Sequence, residues 1–103
     1  MVEGVSEEHE AAAWRVLKEA RVEIDTIDAQ IVDLLAARFA VVERVLELKK
    51  EAGLPALLQD RVDDVVARVR ERAVSSDAPP ELVEALWRFL IQWTIEYEEA
   101  RLG

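Results

Sequence analysis

Arg38 and Lys49 stand eleven residues apart in the stretch LLAARFAVVERVLELKK, Leu34 to Lys50. Eleven residues make about three helical turns, so on a helix both cations project from one face. On a wheel at about 100° per residue with Ile24 at zero, Arg38 falls at about 320° and Lys49 at about 340°. Ile31, Leu35 and Val42 lie within about 20° of zero, and Val45 at about 300°. Both cations therefore sit inside the apolar stripe, with Val42 and Val45 between them. A cation so placed often snorkels, or pairs with one of the chain's many carboxylates. Two on one line, framing an apolar patch, suit a further role. An unpaired buried cation is costly, and an arriving anion recovers that cost. The matching ligand is a small dianion with an apolar middle, one carboxylate near each cation and a ring over Val42 and Val45.

A companion row lies near the C-terminus. With Leu82 at zero, Trp87, Ile91, Thr94 and Glu98 fall between about 120° and 180°. Phe89, Trp93 and Tyr97 fall nearer about 340–60° and read as core. Glu98 is then either an edge residue in water or a carboxyl facing a pocket. Arg21 lies about 100° round the first helix from Arg38, at the edge of the stripe. It cannot readily enter the same space from the same helix.

The elements that must position these groups are helices. Ala, Leu, Glu, Arg and Val dominate, and only 3 Gly and 3 Pro punctuate 103 residues. The spacing predicts one helix from about Glu7 to Ala52, ended by Gly53 and Pro55. A second runs from about Asp60 to Val74, with Val62, Val65, Val66 and Val69 on one side. After the turn SSDAPPE a third runs to about Leu102. The fold class is all-α, a single domain over residues 1–103, with residues 1–8 expected to be flexible. A helix of about 45 residues is about 65–70 Å long, against a radius of gyration of about 13 Å for a compact domain of this size. It would carry its stripe into water. A second copy lying alongside is the simplest remedy, which predicts an intertwined homodimer of three-helix subunits.

Charge and composition narrow the partners. The net charge is −9, which argues against nucleic acid or an anionic membrane surface. There is no Cys, hence no disulfide framework and no thiolate chemistry. The acidic start MVEGVSEEHEAAAW lacks the features of a signal peptide. No run approaches the roughly 18 apolar residues of a membrane span. The expectation is a soluble, cytoplasmic protein. His9 reads as solvated. Arg68 and Arg72 share a row with Arg61 and read as a surface row facing nearby acids, and Asp63 and Asp64 suit the start of the second helix.

The string ARVEIDTIDAQIVDLLAARFAVVERVLELKKEAGLPALLQDRV resembles the all-α, AroQ-type chorismate mutases. The cue is R-x-E-I-D-x-I-D-x-x-I-V-x-L-L-x-x-R from Arg21 to Arg38, then Lys49, Gly53, Pro55 and Arg61. The ending ALWRFLIQWTIEYEE is similar to the family's third helix. The resemblance implies conversion of chorismate to prephenate in two sites of an intertwined dimer, with no cofactor and no metal. It implies that Arg38 clamps a substrate carboxylate. Lys49 would reach a carboxylate and the ether oxygen of the breaking bond. Arg61 corresponds to the cation near the loop, and Arg21 to an arginine donated by the neighbouring subunit. Glu98 stands where the family has Gln or Glu beside the ether oxygen, and Thr94 where a small hydroxyl residue lines the site. The reaction is unimolecular and pericyclic, so positioning and electrostatic stabilisation suffice. Glu98 can donate to the ether oxygen only when protonated.

Two positions depart from the pattern. Leu58 and Val62 stand where many mutases carry acids that hold the ring hydroxyl. The loss at Val62, with Trp93 in the third helix, resembles isochorismate-pyruvate lyases. A mutase acting on 4-amino-4-deoxychorismate is a further alternative. A non-catalytic helical dimer, serving as regulatory or scaffolding partner, is the alternative of another class. Such a protein has little reason to keep Arg21, Arg38, Lys49 and Arg61 together.

Overall fold

The computed structural model describes residues 2–103, with side chains from residue 6 onward. It consists of three helices: α1 (Val2–Ala52), α2 (Gln59–Ser75) and α3 (Pro80–Leu102). All three expected helices are present, and no strand occurs among the described residues. The backbone of α1 begins at Val2 rather than near Glu7. The expected flexibility of residues 1–8 falls largely on Met1 and on side chains outside the described set. No helix among the described residues is long and apolar enough to cross a membrane. The chain divides into two units, residues 1–40 and 41–103.

The first unit is helical α1 as far as Ala40. Its apolar stripe is exposed: Ile24 is 54% accessible, Ile27 52%, Ile31 49% and Leu34 70%. Hydrophobic burial within this chain therefore contributes little to this unit. Trp14 is also exposed, with the Arg21 guanidinium 5.9 Å from its ring centroid.

The second unit holds the core: Leu46 from the end of α1, Ala56 from the connecting loop, Val66 and Ala73 from α2, and Ile91 from α3. The α2 valines behave as their spacing predicts, with Val66 buried and Val62, Val65 and Val69 half-buried. On α3 the inward row is Trp87, Ile91, Thr94 and Glu98, of which Ile91 and Glu98 are buried. Phe89 and Trp93, read as core from their spacing, are instead exposed in the subunit, Phe89 at 74%. A helix apolar over more than half its circumference can turn only one side inward, and here that side carries Glu98.

Both connections are set by backbone chemistry. Gly53 ends α1 at φ +69°, a left-handed conformation that costs any residue with a Cβ. The reversal lets the Leu54 N–H donate to the Lys49 carbonyl at 2.9 Å. No side chain caps α2; the Leu58 carbonyl accepts the N–H groups of Arg61 and Val62 at 3.0 and 3.1 Å. Between α2 and α3, Asp77 takes φ +60° and the Ala78 N–H donates to the Ala73 carbonyl at 2.9 Å. Pro80 then opens α3, where its missing N–H costs nothing.

A charged clamp joins α2 to α3. The Glu84 carboxylate accepts from Arg88 at 2.6 Å and from Arg70 at 2.5 Å. Hydrogen bonds from Arg88 first, then Arg70, hold the Glu84 carboxyl below the ordinary glutamate range. A carboxyl depressed on folding stabilises above its unfolded pKa and loses that contribution as pH falls through the folded value. Glu84→Gln is therefore expected to lower Tm relative to the parent at neutral pH. The gap should shrink as pH drops below about 4.5, where the parent carboxyl also gains a proton. Thermal unfolding of both proteins across that range checks it; a gap independent of pH would remove the charge from the explanation.

Candidate functional site

Lys49 sits in the last turn of α1, one turn beyond Leu46, the most deeply buried large residue of the second unit. That register carries its side chain inward. The Lys49 ammonium donates to Glu98 Oε1 at 2.7 Å and to the Ala56 carbonyl at 2.8 Å. The Lys49 side chain is 12% exposed and the Glu98 side chain 4%. Two residues 49 apart in sequence thus form an ion pair whose carboxylate is buried and whose ammonium is largely so. Taking either charge out of water alone would cost several kcal/mol. The pair survives burial because each ion answers the other and a backbone dipole takes a second ammonium proton. The Gly53 reversal brings buried Ala56 under α1, which explains why that carbonyl is within reach.

Thr94 lies one turn before Glu98 on the same face of α3. Half-buried, it donates its hydroxyl to the Leu90 carbonyl at 2.8 Å. Val42 is half-buried, whereas Val45 is 37% exposed. Leu58, at the start of α2, is also exposed. Val62 is half-buried and lines a pocket of about 480 Å³ with Gln59, Ile91 and Gln92. Of the expected site residues only Val62 lines that pocket. Lys49 lines another, of about 430 Å³, with Lys50, Leu54 and Arg101.

Arg61 is not drawn to this centre. Its side chain is 65% exposed and donates to Asp64 on its own helix at 2.7 Å. Arg68 reaches the same carboxylate at 2.9 Å, forming the surface row expected for these arginines. Arg68 first, then Arg61, holds the Asp64 carboxyl below its usual range. Arg21 and Arg38 belong to the first unit, Arg21 exposed over Trp14 and Arg38 half-buried.

Two parts of the centre lie outside the motif reading. The Ala56 carbonyl is backbone, and no residue type marks it. The other is a hydrogen bond from the Tyr97 hydroxyl to Glu43 Oε1, which also joins α1 to α3. A signal existed: Glu43 lies one residue from the stripe and Tyr97 one residue from Glu98. Among the described residues no group of three or more His, Cys, Asp or Glu side chains is placed to hold a metal ion.

An all-α chain of three helices, with a buried ammonium–carboxylate pair between the ends of the first and third, defines a helical protein with a small polar centre. Residues 20–99 match the family model for chorismate mutase type II, and the chain belongs to that family. It is 37% identical over 68 residues to the T-protein of Enterobacter agglomerans, covering 66% of this chain and 18% of that protein. It is 30% identical over 86 residues to the bifunctional chorismate mutase/prephenate dehydratase of Aquifex aeolicus (strain VF5), covering 81% of this chain and 24% of that protein. The chain thus spans a quarter or less of the length of these curated relatives.

Breaking the pair from one side should be costly. Glu98→Ala strands the Lys49 ammonium with one carbonyl partner, and a loss of about 2–4 kcal/mol is expected. Glu98→Leu with Lys49→Met, which removes both charges, should recover much of it. Urea unfolding of the three proteins distinguishes a buried pair from a surface one, for which both losses would stay below about 1 kcal/mol.

Proposed function

We propose that this protein rearranges chorismate to prephenate. Membership of the type II family supports the reading, as does the name of the Aquifex relative. The observation that carries it is the buried Lys49–Glu98 pair, built from the two residues that the family pattern sets beside the ether oxygen. An ammonium has three N–H donors. Glu98 and Ala56 take two of them, which leaves the third for a substrate oxygen. The C–O bond of the ether breaks as a C–C bond forms within one molecule. Negative charge grows on the ether oxygen, and a fixed ammonium in a water-poor place stabilises it without reorganising. No nucleophile is required. Protonated, Glu98 supplies a second donor to the same oxygen; ionised, it keeps the Lys49 charge in place while the site is empty.

The protein acts as an intertwined homodimer in this reading. The exposed Ile24–Leu35 stripe of α1 supports it, since burial against a second copy would recover apolar surface now in water. Arg38 and Arg61 grip the substrate carboxylates, and Arg21 is donated by the other subunit. Thr94, Val42 and Val45 line the cavity, with Leu58 and Val62 at the ring-substituent end. The cytoplasm is its proposed location.

Chorismate should be consumed and prephenate formed on adding the protein. Lys49→Ala should lower kcat/KM by about 100-fold or more, the scale of losing one charge donor to a developing oxyanion. Parallel runs with isochorismate and 4-amino-4-deoxychorismate decide the substrate; consumption of isochorismate alone, with pyruvate released, would replace the mutase by a lyase. No consumption of any of the three would leave a non-catalytic helical partner. Mixing inactive Arg21→Ala and Lys49→Ala chains should restore about a quarter of full activity, because half the dimers are mixed and each carries one intact site. No recovery would put Arg21 outside the neighbour's site.

Glu98→Gln, whose amide is a donor without needing a proton, is expected to keep turnover of chorismate. An inactive Glu98→Gln would remove the donor role.

A further inference from the structure

We infer that Tyr97 is a positioning residue, whose hydrogen bond to Glu43 ties the end of α1 to α3 and so holds Lys49 against Glu98. Tyr97 and Glu98 are neighbours on α3, and their side chains leave the helix about 100° apart. Their partners, Glu43 and Lys49, lie six residues apart on α1, about 9 Å along its axis. α3 is already held against α2 by the shared core and the Arg70–Glu84 pair; a single bond would leave the end of α1 free to turn about its point of attachment, and two bonds ending at separate points do not. Leu46, midway between Glu43 and Lys49, is 1% exposed.

The Tyr97 ring is itself held. Trp93, one turn back, stacks on it with centroids 5.3 Å apart and planes 12° from parallel. Arg101, one turn on, lies with its guanidinium carbon 3.6 Å from the ring centroid and donates to the Tyr97 carbonyl at 3.1 Å. A ring confined by both neighbours aims its hydroxyl in one direction. The hydrogen bond to Glu43 first, and burial second, raise the Tyr97 hydroxyl above the usual tyrosine range, so the phenol stays a donor at working pH. Neither Tyr97 nor Glu43 belongs to the cation set proposed to touch substrate. Their effect on rate rests on the proposed mutase function; their effect on the Lys49–Glu98 pair does not.

The experiment uses Tyr97→Phe, which keeps the ring, the stack and the guanidinium contact, and removes only the hydroxyl. Glu43→Gln keeps an acceptor oxygen, and Glu43→Ala does not. The first readout is the side-chain ammonium resonance of Lys49 in protein labelled with nitrogen-15 lysine, assigned with Lys49→Arg. Lys18 and Lys50 are the only other lysines. Hydrogen exchange of the Lys49 ammonium should quicken by about tenfold or more in Tyr97→Phe and Glu43→Ala, and stay within about threefold of the parent in Glu43→Gln. Unchanged exchange in Tyr97→Phe overturns the inference, whatever the activity. The second readout is turnover of chorismate. Tyr97→Phe should lower kcat by about tenfold with KM within about threefold, as a misplaced group rather than a lost binding contact would. Added to Glu98→Ala, it should change kcat by less than about twofold. An equal loss on both backgrounds overturns the positioning role. If the parent consumes no chorismate, the mutase reading fails and the ammonium measurement alone decides.

Discussion

The second unit is organised around one electrostatic constraint, that a lysine and a glutamate must be buried together or not at all. Lys49 and Glu98 come from different helices, and each makes the other's burial tolerable. The face of α3 that turns inward is the one that carries Glu98, while Phe89 and Trp93, both apolar, stay exposed in the subunit. Hydrophobicity alone does not choose between the two faces. The core around the pair is built from modest side chains, Leu46, Ala56, Val66, Ala73 and Ile91. Of these, Val66, Ala73 and Ile91 lie where α2 and α3 approach closely.

The helices were legible in the sequence because their signals are local. Periodicity marked the apolar faces, Gly53 marked the end of α1, and the two prolines marked the start of α3. The placement of Glu98 on the same face as Ile91 and Thr94 was legible for the same reason. The choice between that face and the one bearing Phe89 was not, because both are apolar and the wheel has no term for a partner on another helix. The Lys49–Ala56 bond escaped detection for a different reason: a carbonyl belongs to every residue, and only the path of the loop selects one. Arg61 shows a third limit. Its spacing fits the family pattern, while its side chain is taken up by Asp64 one turn away. A motif fixes where a cation is attached, not which carboxylate claims it in the absence of ligand.

The two units are stabilised differently. Residues 41–103 own a core, a charged clamp between α2 and α3, and the buried pair. From Trp14 to Phe39 the large apolar side chains are exposed, so within this chain that stretch relies on backbone hydrogen bonds and helix propensity, which alone are marginal. A protein so divided has reserved most of its unspent hydrophobic surface in one element. The proposed paired assembly gives that surface a use.

The connector between α1 and α2 carries a further consequence. Most loops tolerate added or deleted residues more readily than changed ones in the elements they join. Here the order is inverted. From Gly53 to Leu58 the chain must deliver one particular carbonyl under one particular ammonium, and the peptide unit at Ala56 does so regardless of which small side chain it bears. Composition is therefore comparatively free only at the exposed Leu54 and Leu57, while the residue count of the segment is held fixed: a single inserted residue would shift the register, withdraw the acceptor, and leave the Lys49 ammonium with half of its counterparts gone.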